Sequence, residues 1–290
     1  MSSLKEELLE EFKEKRPGLS QSSLKTYCSL LSSIYKKMEG DGGVRFFKKH
    51  EDIIEYINSW DKPQSKKTAL SSLFVLTGIP EYQQEMTTNM KIVNEKYKEQ
   101  KHDPERMKRL KSFEEIIEMH DGYKSQYKKN PTISNTIDLL ISYLVSGALG
   151  EDLPPRRVLD YSLMKIRNFD KEKDNYINGG KFYFNQYKTK DRYGSQVISI
   201  PKELNTLINK WKKINEGDYL LFTEDGNPFT STALSKKISR MFDGNSMDML
   251  RSIFLSHYYR DLPQLKAMED LASKMGHSIS SQLNYYVKKT

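Results

Sequence analysis

Near its C-terminus the chain reads Met275-Gly276-His277-Ser278, and Tyr286 follows nine positions after the histidine. Three cations stand upstream in an order suited to phosphate chemistry. Arg157 lies in Pro154-Pro155-Arg156-Arg157-Val158-Leu159-Asp160-Tyr161, Lys188 lies in a polar turn, and Arg251 opens Arg251-Ser252-Ile253-Phe254-Leu255-Ser256-His257. Transesterification at a phosphodiester requires a nucleophile, charge stabilisation on the non-bridging oxygens and a proton for the leaving oxygen. Arginine suits the second task, because its planar fork grips two oxygens and stays protonated. Two arginines from distant segments can clamp both oxygens of a developing pentacovalent phosphorane. A lysine on a β-turn can reach a leaving 5′ oxygen as general acid. A tyrosine supplies a phenolate once nearby cations offset its ordinary pKa of about 10. Arg157, Lys188, Arg251, His277 and Tyr286 together could thus cleave a phosphodiester with no metal and no cofactor.

Each of these residues also has a plain structural reading. Arg157 and Lys188 are two of 47 basic residues, and Lys190 and Arg192 share the turn with Lys188. His277 can be a helix-end cap, and Tyr285 and Tyr286 can be core aromatics of a last helix. Arg251 is less ordinary: it interrupts an apolar run from Met249 to Leu255, where a buried charge must find a partner. The ordered set, more than any one member, points to phosphate chemistry.

Helices and one small sheet are the elements that must position this set. Ser3 and Glu6 have capping-box spacing, and Leu4, Leu8, Leu9 and Phe12 fall on one face of a helix over residues 3–15. Pro17-Gly18 ends it. Leu24, Tyr27, Cys28, Leu31, Ile34, Tyr35 and Met38 predict a second helix from Ser22 to Met38. Further helices are expected near 47–59, 65–77 and 81–99, so residues 1–100 read as an all-helical unit. The stretch Lys96–Lys111 holds ten charged residues, and 101–111 is the expected linker. A second unit, 112–290, opens with helices near 112–129 and 132–148, broken by Pro154-Pro155. From Asn175 to Ile200 the pattern turns to β. Asn178-Gly179-Gly180 signals a hairpin, Phe182 and Phe184 alternate with polar residues, and Val197, Ile198 and Ile200 make a third strand. Helices return near 203–214, 230–242, 246–259, 263–275 and 280–288. The expected fold is mainly α with a small antiparallel β-sheet, in two domains.

Composition narrows the partners. With 290 residues, 37% apolar and 30% charged, the chain is long enough for two cores and is not disordered by composition. A net charge of +8 and a pI near 9.1 favour a polyanion, most simply nucleic acid. The single cysteine, Cys28, lies on an apolar helical stripe and reads as core. No apolar run approaches the roughly 20 residues of a membrane span, and Met1-Ser2-Ser3-Leu4-Lys5-Glu6 lacks a signal-peptide segment. No membrane partner and an intracellular site of action are therefore expected.

The ordered residues resemble the tyrosine recombinase, or phage integrase, family. Its first box has an arginine with an acid three positions on, matched by Arg157 and Asp160 before Leu163, Met164 and Ile166. Its lysine sits in a β-hairpin, often before Thr and a Gly, and Tyr187-Lys188-Thr189-Lys190 with Gly194 is similar. Its second box reads His-x-x-Arg-His-(Ser/Thr), and Asp248-Met249-Leu250-Arg251-Ser252 looks like it. The third box resembles Leu-Gly-His-Ser with the nucleophile nine residues later, as in His277 and Tyr286. The Pro-Pro-Arg-Arg-x-x-Asp-Tyr form also resembles divergent members carried by large DNA viruses, virophages and eukaryotic mobile elements.

The resemblance implies a site-specific recombinase acting on double-stranded DNA. Tyr286 would form a 3′-phosphotyrosyl link, Arg157 and Arg251 would bind the scissile phosphate, and Lys188 would protonate the leaving 5′-OH. His277 would hydrogen-bond the phosphate, and Asp160 would support the first arginine. Residues 1–100 would be a core-binding domain that closes a clamp on DNA with the catalytic domain, 112–290. A homotetramer exchanging strands through a Holliday junction is implied as well. Asp248 departs from the pattern, standing where the family usually has histidine or lysine. It serves either as general base for Tyr286 or to orient Arg251. Two other readings use the same residues: a type IB topoisomerase, and a DNA-binding protein that has lost catalysis.

Overall fold

The computed structural model describes residues 3–99, 107–275 and 278–281. They fall in two compact units, one within Met1–Lys101 and Pro263–Thr290, the other within His102–Leu262.

The first unit is helical. Helices α1 (Leu4–Lys15), α2 (Gln21–Lys37), α3 (His50–Asn58), α4 (Pro63–Thr77) and α5 (Pro80–Lys98) follow in order. Their starts are written in local chemistry. Ser3 and Glu6 close a capping box on α1, Ser20 accepts from the Ser23 amide at 3.1 Å to start α2, and α4 and α5 each open on proline. The helix expected near 47–59 is split: Gly43–Lys48 forms a 3-10 turn before α3, after Gly42 and Gly43 take positive φ. Leu8, Phe12, Leu24, Leu31, Ile34, Phe47, Ile53, Leu70 and Leu73 fill the core. Cys28 is buried among them, and burial pushes its thiol pKa up.

Later in the chain, α13 (Leu265–Lys274) and α14 (Ile279–Ser281) belong to this first unit. Lys98 of α5 pairs with Glu269 of α13 at 3.4 Å. By compactness α13 and α14 are thus grouped with the first unit and residues 102–262 with the second.

The second unit contains α6 (Phe113–Lys129), α7 (Ile133–Val145), α8 (Val158–Ser162), strands β1 (Tyr176–Asn178) and β2 (Lys181–Phe184), the one-turn α9 (Lys190–Tyr193) and β3 (Gln196–Ser199). Helices α10 (Lys202–Ile214), α11 (Ser231–Met241) and α12 (Met247–Tyr258) complete it. The sheet is antiparallel in the order β1-β2-β3, with Ile177 opposite Phe182 and Phe182 opposite Ile198. Gly179 and Gly180, at φ 53° and 73°, make the two-residue turn that joins β1 to β2. Phe182 and Phe184 project to a core shared with Leu140, Leu144, Tyr161, Leu204, Ile208 and Trp211. The third strand ends one residue earlier than expected, and Ile200 instead donates its amide to Gly180 O at 2.9 Å.

Gly147, just past α7, combines φ 80° with a close approach by Phe254 of α12: a Cβ there would lie 2.5 Å from that ring. Glycine is what lets α12, the helix of Arg251, settle against the end of α7. Among the described residues no helix is long and apolar enough to cross a membrane.

Candidate functional site

Arg157 and Arg251, 94 positions apart in sequence, line the same cavity of about 340 Å³ in the second unit. Asp160, Arg156, Tyr187, Thr189 and Gln196 share its wall. Arg157 is the N-cap residue of α8, with extended backbone at φ −74° and ψ 153°. Arg251 is on the second turn of α12, whose start is capped by Ser246. Tyr258 at the end of α12 donates its hydroxyl to Glu151 at 2.6 Å, three residues before Pro154. His257 stacks on Phe113 at 4.2 Å. These contacts fasten α12 beside the segment that leads into Arg157.

Asp160 is 2% exposed, and burial pushes its carboxyl pKa up; Arg156, then Arg157 and Arg251, pull it back down. Three guanidiniums thus surround one buried carboxylate. Its direct partner is Arg156, whose Nε donates to Oδ2 at 2.8 Å. The resemblance implies that Asp160 supports Arg157; in the structure the hydrogen bond of Asp160 goes to Arg156, and Arg157 acts on the carboxylate by charge alone. The Arg157 side chain makes no hydrogen bond or ion pair among the described residues; its carbonyl accepts from Asp160 N at 3.0 Å. A half-buried guanidinium of this kind keeps its five N–H donors available for an acceptor.

Among the described residues Arg251 has one ion partner, Asp248 at 3.6 Å, and Asp248 is 81% exposed. Asp248 sits in the first turn of α12, where a negative charge is favoured by the helix dipole. Of the two roles left open for Asp248, orienting Arg251 is the one this contact supports.

Lys188 lies on the turn between β2 and α9 and is exposed; it does not line the cavity, although Tyr187 and Thr189 on either side do. The polar stretch expected as a simple turn contains the one-turn α9. Tyr187 closes this loop by donating to Gly194 O at 2.6 Å. The loop is stapled at its base by Asn175, which is 6% exposed. The Asn175 amide donates to Asp160 O at 3.1 Å and Gln186 O at 2.8 Å. Its carbonyl accepts from Asn185 N at 2.8 Å and Gln186 N at 2.7 Å. Asn175 therefore joins the backbone of α8 to the strand end two residues before Lys188.

His277, Tyr285 and Tyr286 lie outside the described residues. Sequence reasoning missed Arg156, Gln196 and Asn175. Nothing local to Arg156 or Gln196 signals their contact, and Asn175 shows only its position at the edge of the β segment. No group of three or more His, Cys, Asp or Glu among the described residues is disposed to hold a metal ion.

The first unit offers a second surface. Helices α2 and α4 carry no Asp or Glu, whereas α1 holds five glutamates. Lys5 of α1 joins Lys25, Thr26, Ser29, Gln64 and Thr68 of α2 and α4 in lining one depression. Cations and hydroxyl donors without intervening carboxylates suit a phosphate backbone.

No protein-family model matches the sequence, and no curated protein matches it. Solved structures do match. A "lambda integrase(75-356) dimer bound to a COC' core site" aligns over 91% of this chain and 92% of its own, with 17% identity and a TM-score of 0.51. A lambda integrase dimer bound to a COC' core site aligns over 98% and 79%, with 16% identity and a TM-score of 0.49. XerA recombinase aligns over 98% and 94%, with 12% identity and a TM-score of 0.36. Helices with one small antiparallel sheet, and an alignment spanning nearly the whole of both chains, give this protein the fold of that lambda integrase fragment.

Proposed function

We propose that this chain is a DNA strand transferase that cleaves and rejoins duplex DNA through a 3′-phosphotyrosyl intermediate. The observation that carries the reading is the convergence of Arg157 and Arg251 on one cavity, with Arg157 uncommitted to any protein acceptor. The two guanidiniums would hold the non-bridging oxygens of the scissile phosphate, with His277 as a further donor. The Tyr286 phenolate, its proton released to water, attacks phosphorus and forms the P–O(Tyr) bond as the P–O5′ bond breaks. Lys188 gives a proton to the departing 5′ oxygen. Rejoining runs in reverse, with a 5′-OH attacking and the tyrosine leaving. The phosphodiester energy is conserved in the ester, so the residues named need neither ATP nor a metal.

Residues 1–100 would act as the core-binding part, with the carboxylate-free surface of α2 and α4 against DNA. A homotetramer on two duplexes, exchanging strands through a Holliday junction, belongs to the same proposal, as does an origin in a virus or mobile element.

The test is covalent trapping in EDTA on nicked duplexes drawn from the flanks of the element that encodes the protein. Wild type should give a denaturant-resistant adduct that Tyr286→Phe loses. Arg157→Ala and Arg251→Ala should each slow its formation by ~10²-fold, the scale of losing one preorganised donor. An adduct that survives Tyr286→Phe moves the nucleophile to Tyr285. No adduct, with DNA binding intact, would refute strand transfer and leave a binding protein on this fold.

A further inference from the structure

Arg156 has no task in the cleavage chemistry above, yet it is the most heavily contacted cation at the cavity. Its side chain is 15% exposed. Nε donates to Asp160 Oδ2 at 2.8 Å, and Nη1 donates to Gln196 Oε1 at 2.8 Å. Its Cζ lies 4.1 Å from the Phe184 ring centroid and 5.2 Å from that of Tyr187, within cation–π range. These partners come from separate elements. Asp160 is in α8, Phe184 ends β2, Tyr187 precedes Lys188, and Gln196 begins β3. One guanidinium therefore spans both feet of the loop 185–195 and ties them to the helix that follows Arg157.

We propose that Arg156 is a positioning residue: it fixes the Lys188 turn relative to the arginines of the cavity. This rests on the reading of Lys188 as the acid. A general acid must come within about 2.6–3.2 Å of the oxygen it protonates. Lys188 itself is exposed, with no hydrogen bond or ion pair among the described residues, so its reach is set by the backbone that carries it. An error of about 1 Å in such placement costs on the order of 10²-fold in rate. Lysine cannot substitute for Arg156, because a single ammonium cannot bond two acceptors in a planar fork while lying over two rings.

The experiment compares full-length wild type, Arg156→Met, Arg156→Lys, Gln196→Ala, Lys188→Ala and Arg157→Ala on two nicked duplexes. One carries oxygen at the 5′ bridging position and the other sulfur, whose departure needs no proton. Arg156→Met should form adduct about 10²-fold more slowly on the oxygen substrate and recover on the sulfur substrate, as Lys188→Ala does. Arg156→Lys should resemble Arg156→Met, and Arg157→Ala should stay slow on both. Equal loss by Arg156→Met on both substrates, or no loss on either, overturns the proposal. Amide hydrogen exchange of the free protein supplies an arm that needs no DNA. Peptides covering 185–196 should exchange faster in Arg156→Met while those of α7 do not; unchanged protection also overturns it. If wild type forms no adduct, or Lys188→Ala is not rescued by sulfur, the fault lies with the role given to Lys188. The exchange result then decides by itself whether Arg156 holds the turn.

Discussion

Replacing Asn175 by leucine keeps much of the side-chain volume and removes four hydrogen bonds. The consequences differ among the four backbone groups left behind. Asp160 O and Asn185 N belong to residues only 2% and 6% exposed, so they stay buried without a partner. Gln186 is exposed, and its amide and carbonyl can turn to water. An unpaired buried polar group costs about 1–3 kcal/mol, which makes the two buried groups worth about 2–6 kcal/mol. That is a large share of the ~5–15 kcal/mol that holds a typical domain together. The assay is urea unfolding of the full chain in a Trp60→Phe background. Trp211, 1% exposed and bonded through Nε1 to Leu220 O at 2.9 Å, then reports on the second unit alone. Asn175→Leu should lower the midpoint without changing the slope. A loss below about 1 kcal/mol would refute the view that this staple joins α8 to the strand ends, since neither buried group could then have lost its partner.

His120 is 3% exposed, accepts or donates at 2.8 Å with Ser142, and its pKa is lowered from the ordinary 6.5 to about 4 by burial, with Lys124 adding to the effect. A histidine with a depressed folded pKa stabilises above pH 6.5 and loses that contribution as pH falls through 4; the shift corresponds to about 3 kcal/mol, so Trp211-monitored stability should fall on acidification less in His120→Gln than in wild type. Parallel pH profiles for the two proteins would refute this. Asp248→Asn should alter DNA affinity and cleavage by no more than about fivefold, because an exposed ion pair contributes little. A loss of ~10²-fold or more would instead mark Asp248 as the general base. Lys5→Ala and Lys25→Ala should each reduce the slope of log affinity against log salt by about one, as expected for phosphate contacts, and an unchanged slope would remove the depression they line from the DNA interface.

The helices were legible where local chemistry writes their ends. Ser3 with Glu6, Pro63, Pro80 and Ser112 all start helices by rules that involve three or four neighbouring residues. Elements shorter than two turns were not. Helix α8 has five residues and α9 four, too few for a hydrophobic period to register, and α9 is polar throughout. The candidate site divides in the same way. Arg157, Asp160 and Arg251 were chosen from type and spacing, and they do meet at one cavity. Which arginine would hold Asp160 was not encoded in spacing, since the choice depends on Gln196, Phe184 and Tyr187 gathering around Arg156 from the sheet.

Charge balance explains why two consecutive arginines suit this wall. A buried carboxylate is costly to keep ionised, and Asp160 has one oxygen, Oδ1, that is buried without a hydrogen-bond partner. Arg156 supplies the contact that offsets this cost, while Arg157 and Arg251 act on Asp160 only through space. One acid therefore faces three cations, and two positive charges remain uncompensated within the cavity wall. Asp248 does little to cancel them, being 81% exposed and 3.6 Å from Arg251. With both arginines present, one completes the fold and the other stays open to the ligand.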